Sequence, residues 1–168
     1  MGAATELGLP TALAITADNH AEMRGLQWGR HVDWSGFQTV VACGPRLLTN
    51  GRVTLDPAGQ RFRDPHVLGV GARTAVGLTD SNLLLVSCVK EAVSLRRLAE
   101  VMRALGCRDA MNLDGGAALC LYYQGRLIIP RGRNLTNSLV MYDNASPPVG
   151  AGFWTGGGRA DTGGRRVR

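Results

Sequence analysis

The sequence predicts an α+β domain, a mixed, largely antiparallel sheet with one main helix packed across it. Apolar runs of strand length recur along the chain and are separated by turn residues such as Asp18-Asn19-His20, Asn50-Gly51 and Asp80-Ser81-Asn82. The clearest helical periodicity follows Ser94, where Leu95, Leu98, Val101, Met102 and Leu105 share a face. A chain of 168 residues with 45% apolar content holds one domain with a real core, and is short for two.

Taken in order, Gly8 to Ala17 reads as a strand entered through a proline turn. Phe37 to Cys43 is a second strand that runs into Gly44-Pro45. Arg46-Leu47-Leu48 then meets Asn50-Gly51, a hairpin dipeptide that returns the chain toward Val53-Thr54-Leu55. Asp56 to Gly71 is polar and proline-bearing, which reads as a long crossing loop. Arg73 to Thr79 and Leu83 to Val89 are expected to pair as an antiparallel hairpin near the middle of the sheet, the second run apolar enough for burial on both faces. Ser94 caps the helix, Gly106 stops it, and Arg96, Arg97, Glu100 and Arg103 form its solvated face. A strand then leads to Asp114. Ala117 to Tyr123, a turn at Gln124-Gly125-Arg126, Leu127 to Ile129 and a last strand from Leu135 to Tyr142 complete the domain, residues 1–142. Residues 143–168, with seven glycines and a basic end, read as a disordered tail.

Composition narrows the function. The basic residues are 18 arginines and Lys90, but Arg159, Arg165, Arg166 and Arg168 crowd the last ten residues, and aromatics are only 5%. A nucleic-acid groove needs clustered charge with interleaved aromatics, so nucleic acid is not the expected partner. Cys43, Cys88, Cys107 and Cys120 are widely spaced, with no pattern that closes a zinc site. Free, buried thiols are expected, and no metal or cofactor is called for. No apolar run spans a bilayer, and no export signal opens the chain as written.

The most informative run is Asn112-Leu113-Asp114-Gly115-Gly116. A short apolar strand before Asp114 would fix its backbone, while the two glycines let the chain turn and leave room for a ligand. Asp-Gly between two apolar runs is equally the signature of a plain hairpin turn. His20, His31 and His66 sit in loop-like sequence without metal-ligand spacing; His66, on the long loop before Arg73, is the one within reach of a site.

Taken together, Ala42-Cys43-Gly44-Pro45 with Asn50-Gly51, the run Ala72-Arg73-Thr74-Ala75-Val76-Gly77, the helix ending Leu105-Gly106-Cys107, and Asp109 to Gly116 closely resemble the phosphodiester glycosidase family, which includes the lysosomal uncovering enzyme. The resemblance covers roughly Gly8 to Tyr142. It implies hydrolysis of a sugar 1-phosphodiester and carries the heart of the site over to Arg73, Thr74, Asn112, Asp114, Gly115 and Gly116. It also implies a sugar phosphodiester or cell-envelope glycan as substrate and an exported or extracytoplasmic location. Two departures stand out: Ala117-Ala118-Leu119 replaces a glycine and hydroxyl residues, and Met1 to Leu7 lacks the family's Asn-x-x-Phe-Phe-like opening. The chain is therefore expected to be an amino-terminally truncated or degenerate member.

A phosphate monoester, with a second pKa of about 6, departs without the strong general acid an alkyl glycoside demands. One carboxylate then suffices: Asp114 as nucleophile or base at the anomeric carbon, Arg73 gripping the phosphate through a bidentate guanidinium, and Thr74, Asn112, Gly115 and Gly116 binding substrate. The competing reading is a noncatalytic phosphosugar-binding module. A third, nucleic-acid binding through the arginine tail, would show affinity that collapses with salt.

Overall fold

The computed structural model describes residues 11–27, 29–82, 84–123 and 126–141. Contacts divide the chain into two units, Met1–Leu135 and Thr136–Arg168. In the second, the described residues 136–141 are irregular. The expected boundary at 142/143 and the tail beyond it lie outside the described residues.

The first unit is α+β, and every described strand pairing in it is antiparallel. Strands β1 (Thr11–Thr16), β2 (Ala21–Gly25) and β3 (Phe37–Cys43) form one sheet with β1 central. A five-stranded sheet holds β4 (Arg46–Thr49), β5 (Arg52–Val53), β6 (Gly71–Leu78), β7 (Leu84–Val93) and β8 (Asp109–Asn112) in the order β5-β4-β8-β6-β7. Strands β9 (Leu121–Tyr123) and β10 (Arg126–Ile129) form a separate hairpin. The strands expected in one sheet are thus shared among three.

Local chemistry explains most boundaries. Asn50 and Gly51 both take positive φ, 49° and 75°, the conformation a two-residue hairpin requires between β4 and β5. The long loop is irregular except for α1 (Pro65–Leu68), a single turn whose first N–H groups are capped by Asp64. The main helix, α2 (Leu95–Ala104), starts where Ser94 Oγ accepts the Arg97 N–H at 3.2 Å. It ends in a Schellman closure: Cys107 N–H donates to Met102 O at 3.1 Å and Gly106 N–H to Arg103 O at 3.0 Å, with Gly106 at φ 81°.

Leu95, Leu98, Ala99 and Met102 of α2 pack with Leu47, Leu48, Ala75, Cys107 and Ala110 of the sheet side. The approach is close at Gly77, where a Cβ would lie 2.5 Å from Cys107 Sγ and 2.8 Å from Met102 Cε. Leu105, expected on this apolar face, is instead half exposed, because it is the cap residue where the chain leaves the helix. Arg96, Arg97 and Arg103 are exposed as expected, the first two facing Glu100.

The structure also reverses the roles of two strands. β6 is the doubly flanked strand, between β8 and β7, with Thr74 to Leu78 all buried. β7, expected to be buried on both faces, ends the sheet among the described residues, and Val86 is exposed. An apolar run alone does not say which of two hairpin partners takes the inner place. Two other expectations need correction. The β8 strand ends at Asn112 rather than at the motif aspartate, and residues 135–141 form no strand with any described residue; Tyr142 lies outside the described residues.

Candidate functional site

β8 sits between β4 and β6 and carries the Asp114 loop out of the sheet. Two bonds anchor its end from both sides: Asn112 N–H donates to Pro45 O at 3.0 Å, and Leu113 N–H to Thr74 O at 2.8 Å. Gly115 then passes so near β6 that a Cβ would lie 2.3 Å from Ala72 O, which only a glycine permits. Gly116 takes φ 57° and opens a 3₁₀ turn over Gly116–Ala118, closed by Ala118 N–H to Gly115 O at 3.2 Å. The plain-hairpin reading of Asp114-Gly115 is therefore excluded, since β8 pairs with β4 and β6 while β9 pairs with β10.

The result is a carboxylate on a fixed backbone with an open side chain. Asp114 is 70% exposed, and its Oδ2 lies 3.7 Å from Nη2 of Arg133, itself 54% exposed. Sequence reading did not single out Arg133. No local pattern marked it: the β9–β10 register shifts between Leu127 and Ile129, and it is the bond from Gly132 N–H to Ala117 O, 2.8 Å, that brings the returning chain alongside the loop. The next residue then falls beside the Asp114 loop.

Arg73 is placed differently from its expected role. Only 4% exposed, it donates Nη2 to Val67 O at 2.8 Å and Gly69 O at 2.5 Å, at the end of α1, and Nε to Val93 O at a long 3.5 Å. A free bidentate fork is thus not what the side chain offers. Nη1 is the guanidinium nitrogen without an acceptor among the described residues, and no described carboxylate pairs with Arg73. Burial lowers its pKa below the ordinary arginine value. A buried cation without a counter-charge is costly, and an arriving anion would offset that cost.

Asn112 is 5% exposed, and its amide Nδ2 donates to Gly44 O at 3.1 Å and Leu113 O at 2.7 Å. Those two acceptors fix the amide orientation, because the flipped form would aim oxygen at oxygen. Its Oδ1 is then left buried with no partner among the described residues. Thr74 is buried on β6, where strand alternation turns its side chain to the face opposite Arg73, and it meets the loop through its carbonyl.

Cys43, half-buried at the end of β3, also borders the loop: burial first, and then the Asp114 carboxylate, push its thiol up to about 11. Cys107 is buried and Cys120 half-buried. His66 is exposed on α1, and the contact that places it is its backbone N–H to Asp64 Oδ1 at 2.9 Å. Among the described residues no three His, Cys, Asp or Glu side chains gather as a metal site would require, and no helix is long and apolar enough to cross a membrane.

Comparison with known proteins bears on the whole domain. The sequence model of the phosphodiester glycosidase family matches residues 5–144. No curated protein matches the chain significantly in sequence. Among solved structures, the zebrafish N-acetylglucosamine-1-phosphodiester alpha-N-acetylglucosaminidase catalytic domain, auto-inhibited by its pro-peptide, is similar in fold, with TM-score 0.58 and 22% identity over 72% of this chain. A hypothetical protein from Synechocystis is similar with TM-score 0.50 and 20% identity over 73% of this chain. This chain spans 44% of the first of those structures and 31% of the second.

Proposed function

We propose, from the premise that this chain belongs to the phosphodiester glycosidase family, that it hydrolyses a sugar 1-phosphodiester, freeing the sugar and leaving a phosphate monoester on the second alcohol. The observation that carries this reading is Asp114: an open carboxylate on a backbone held by the Leu113 to Thr74 bond and by the packing of Gly115 on Ala72. Such a group reaches an anomeric carbon as nucleophile, or directs a water there as base. The leaving phosphate, already a weak base, needs little protonation.

Arg73 faces the phosphate with its buried charge and the Nη1 edge, a single contact rather than a fork. Backbone N–H groups of Gly115 and Gly116 add donors to the same anion. Asn112 serves substrate binding by holding the loop, its amide donating to the Gly44 and Leu113 carbonyls. Thr74 acts through its carbonyl, as the post to which the loop is tied. The substrate class is a sugar phosphodiester such as those of cell-envelope glycans, which fits an exported protein.

One observation favours the alternative of a noncatalytic phosphosugar-binding module: the 3₁₀ turn Gly116–Ala118 after Asp114 bears no side chain able to hydrogen-bond. Release of free sugar from a panel of sugar 1-phosphodiesters, compared with the Asp114→Asn variant, decides between them. Release abolished in a folded variant supports the hydrolase. Binding of the diesters without release by the folded wild type supports the binding module.

A further inference from the structure

We infer that Arg133 is the second phosphate-holding residue of this site, exchanging the Asp114 carboxylate for phosphoryl oxygens when the substrate binds; this rests on the phosphodiester reading above. A phosphodiester presents two non-bridging oxygens. Arg73, with Nε and Nη2 already committed to the carbonyls of Val93, Val67 and Gly69, has one nitrogen left for them. One N–H edge does not bracket two oxygens, so a second cation on the open side completes the grip.

Arg133 has the geometry for that exchange. Its backbone is held one residue from the clasp between Gly132 N–H and Ala117 O, and the clasp is tight, since a Cβ on Gly132 would lie 3.1 Å from Ala117. Its side chain is lightly held: Nη2 sits 3.7 Å from Asp114 Oδ2, beyond hydrogen-bond length, and Nη1 reaches Asn134 O at a long 3.4 Å. An exposed pair at that separation is weak, whereas a guanidinium on phosphoryl oxygens makes charge-assisted bonds.

The electrostatics also require it. Asp114 must approach a carbon that bears an anionic phosphate, and a cation on that phosphate removes the like-charge penalty. Transfer of Arg133 to the phosphate at the same time leaves the Asp114 oxygens clear for the carbon.

The test titrates the full chain with inorganic phosphate, and with neutral glucose as control, at low ionic strength. Arg133→Met is expected to weaken phosphate binding about tenfold or more, and Arg133→Lys to restore part of it. Asp114→Asn, by removing the competing carboxylate, is expected to tighten phosphate binding several-fold, and that gain disappears in the double variant Asp114→Asn/Arg133→Met. A merely structural Arg133 would produce no such coupling. Phosphate affinity unchanged in a folded Arg133→Met chain, or absent from the wild type, overturns the inference. The glycosidase reading fails separately: a wild type that binds phosphate through Arg133 but frees no glucose from glucose 1-(methyl phosphate) keeps this anion site and loses the enzyme.

Discussion

Asp109 and Asp114 flank the same strand and have opposite fates. At the start of β8, Asp109 is buried, its Oδ1 meeting Arg46 Nη2 at 2.5 Å and its Oδ2 meeting Arg108 Nε at 3.2 Å. Arg46 in turn donates to Leu48 O at 3.0 Å and Met23 O at 3.3 Å, so the pair ties β8 to β4 and to β2 of the other sheet. Past the other end, Asp114 faces solvent with one cation at 3.7 Å. One strand thus carries a carboxylate saturated by donors, which holds strands together, and leads to another whose acceptor capacity is left open.

The contrast breaks most sharply at Asp109. Asp109→Ala leaves Arg46, its side chain only 13% exposed, charged without its partner and is expected to cost about 3 kcal/mol in denaturant unfolding. A loss well below that would make Asp109 as dispensable to the fold as an open carboxylate. Next comes Gly115→Ala, whose Cβ must push against the Ala72 carbonyl. A cost of about 1–3 kcal/mol is expected, together with a loss of sugar release larger than the stability change explains.

Smaller in size, but sharper in what it reports, is the alkaline behaviour of Cys43. Its thiol ionises near 9.0 when unexposed to the fold and at about 11 within it, so above pH 9 the unfolded chain sheds its proton first. Stability therefore falls as pH rises from 9 toward 11, by up to about 2 kcal/mol relative to Cys43→Ala in parallel melts. Asp114→Asn should shrink that fall, because it removes the charge that adds to burial. The smallest effect is the stability of Asp114→Asn itself near neutral pH, expected within about 0.5 kcal/mol of wild type by thermal or denaturant unfolding. A much larger loss would show Asp114 to be structural after all.

Much of the fold was legible because its signals are local. Asn50-Gly51 forces a hairpin through its own φ angles, and Ser94 and Gly106 mark the helix through the N–H and C=O groups they satisfy. The candidate site was legible where it is contiguous, from Asn112 to Gly116. It was not legible in Arg73, whose expected fork is spent on α1, a helical turn inside a segment that reads as loop. Nor was it in Arg133, which reaches Asp114 only through the return of the β9–β10 hairpin.

By itself, then, the sequence determined where this chain turns, where it forms its helix, which family it resembles and which acid precedes a pair of glycines. Those follow from backbone sterics and hydrophobic period over a few residues. Tertiary structure alone decided that β6 rather than β7 lies within the sheet, that Asp109 is locked to Arg46, and that Arg73 is committed to carbonyls while Arg133 stands exposed beside Asp114. Strand order and the allocation of each guanidinium's donors depend on register between segments far apart in the chain, which no local pattern encodes.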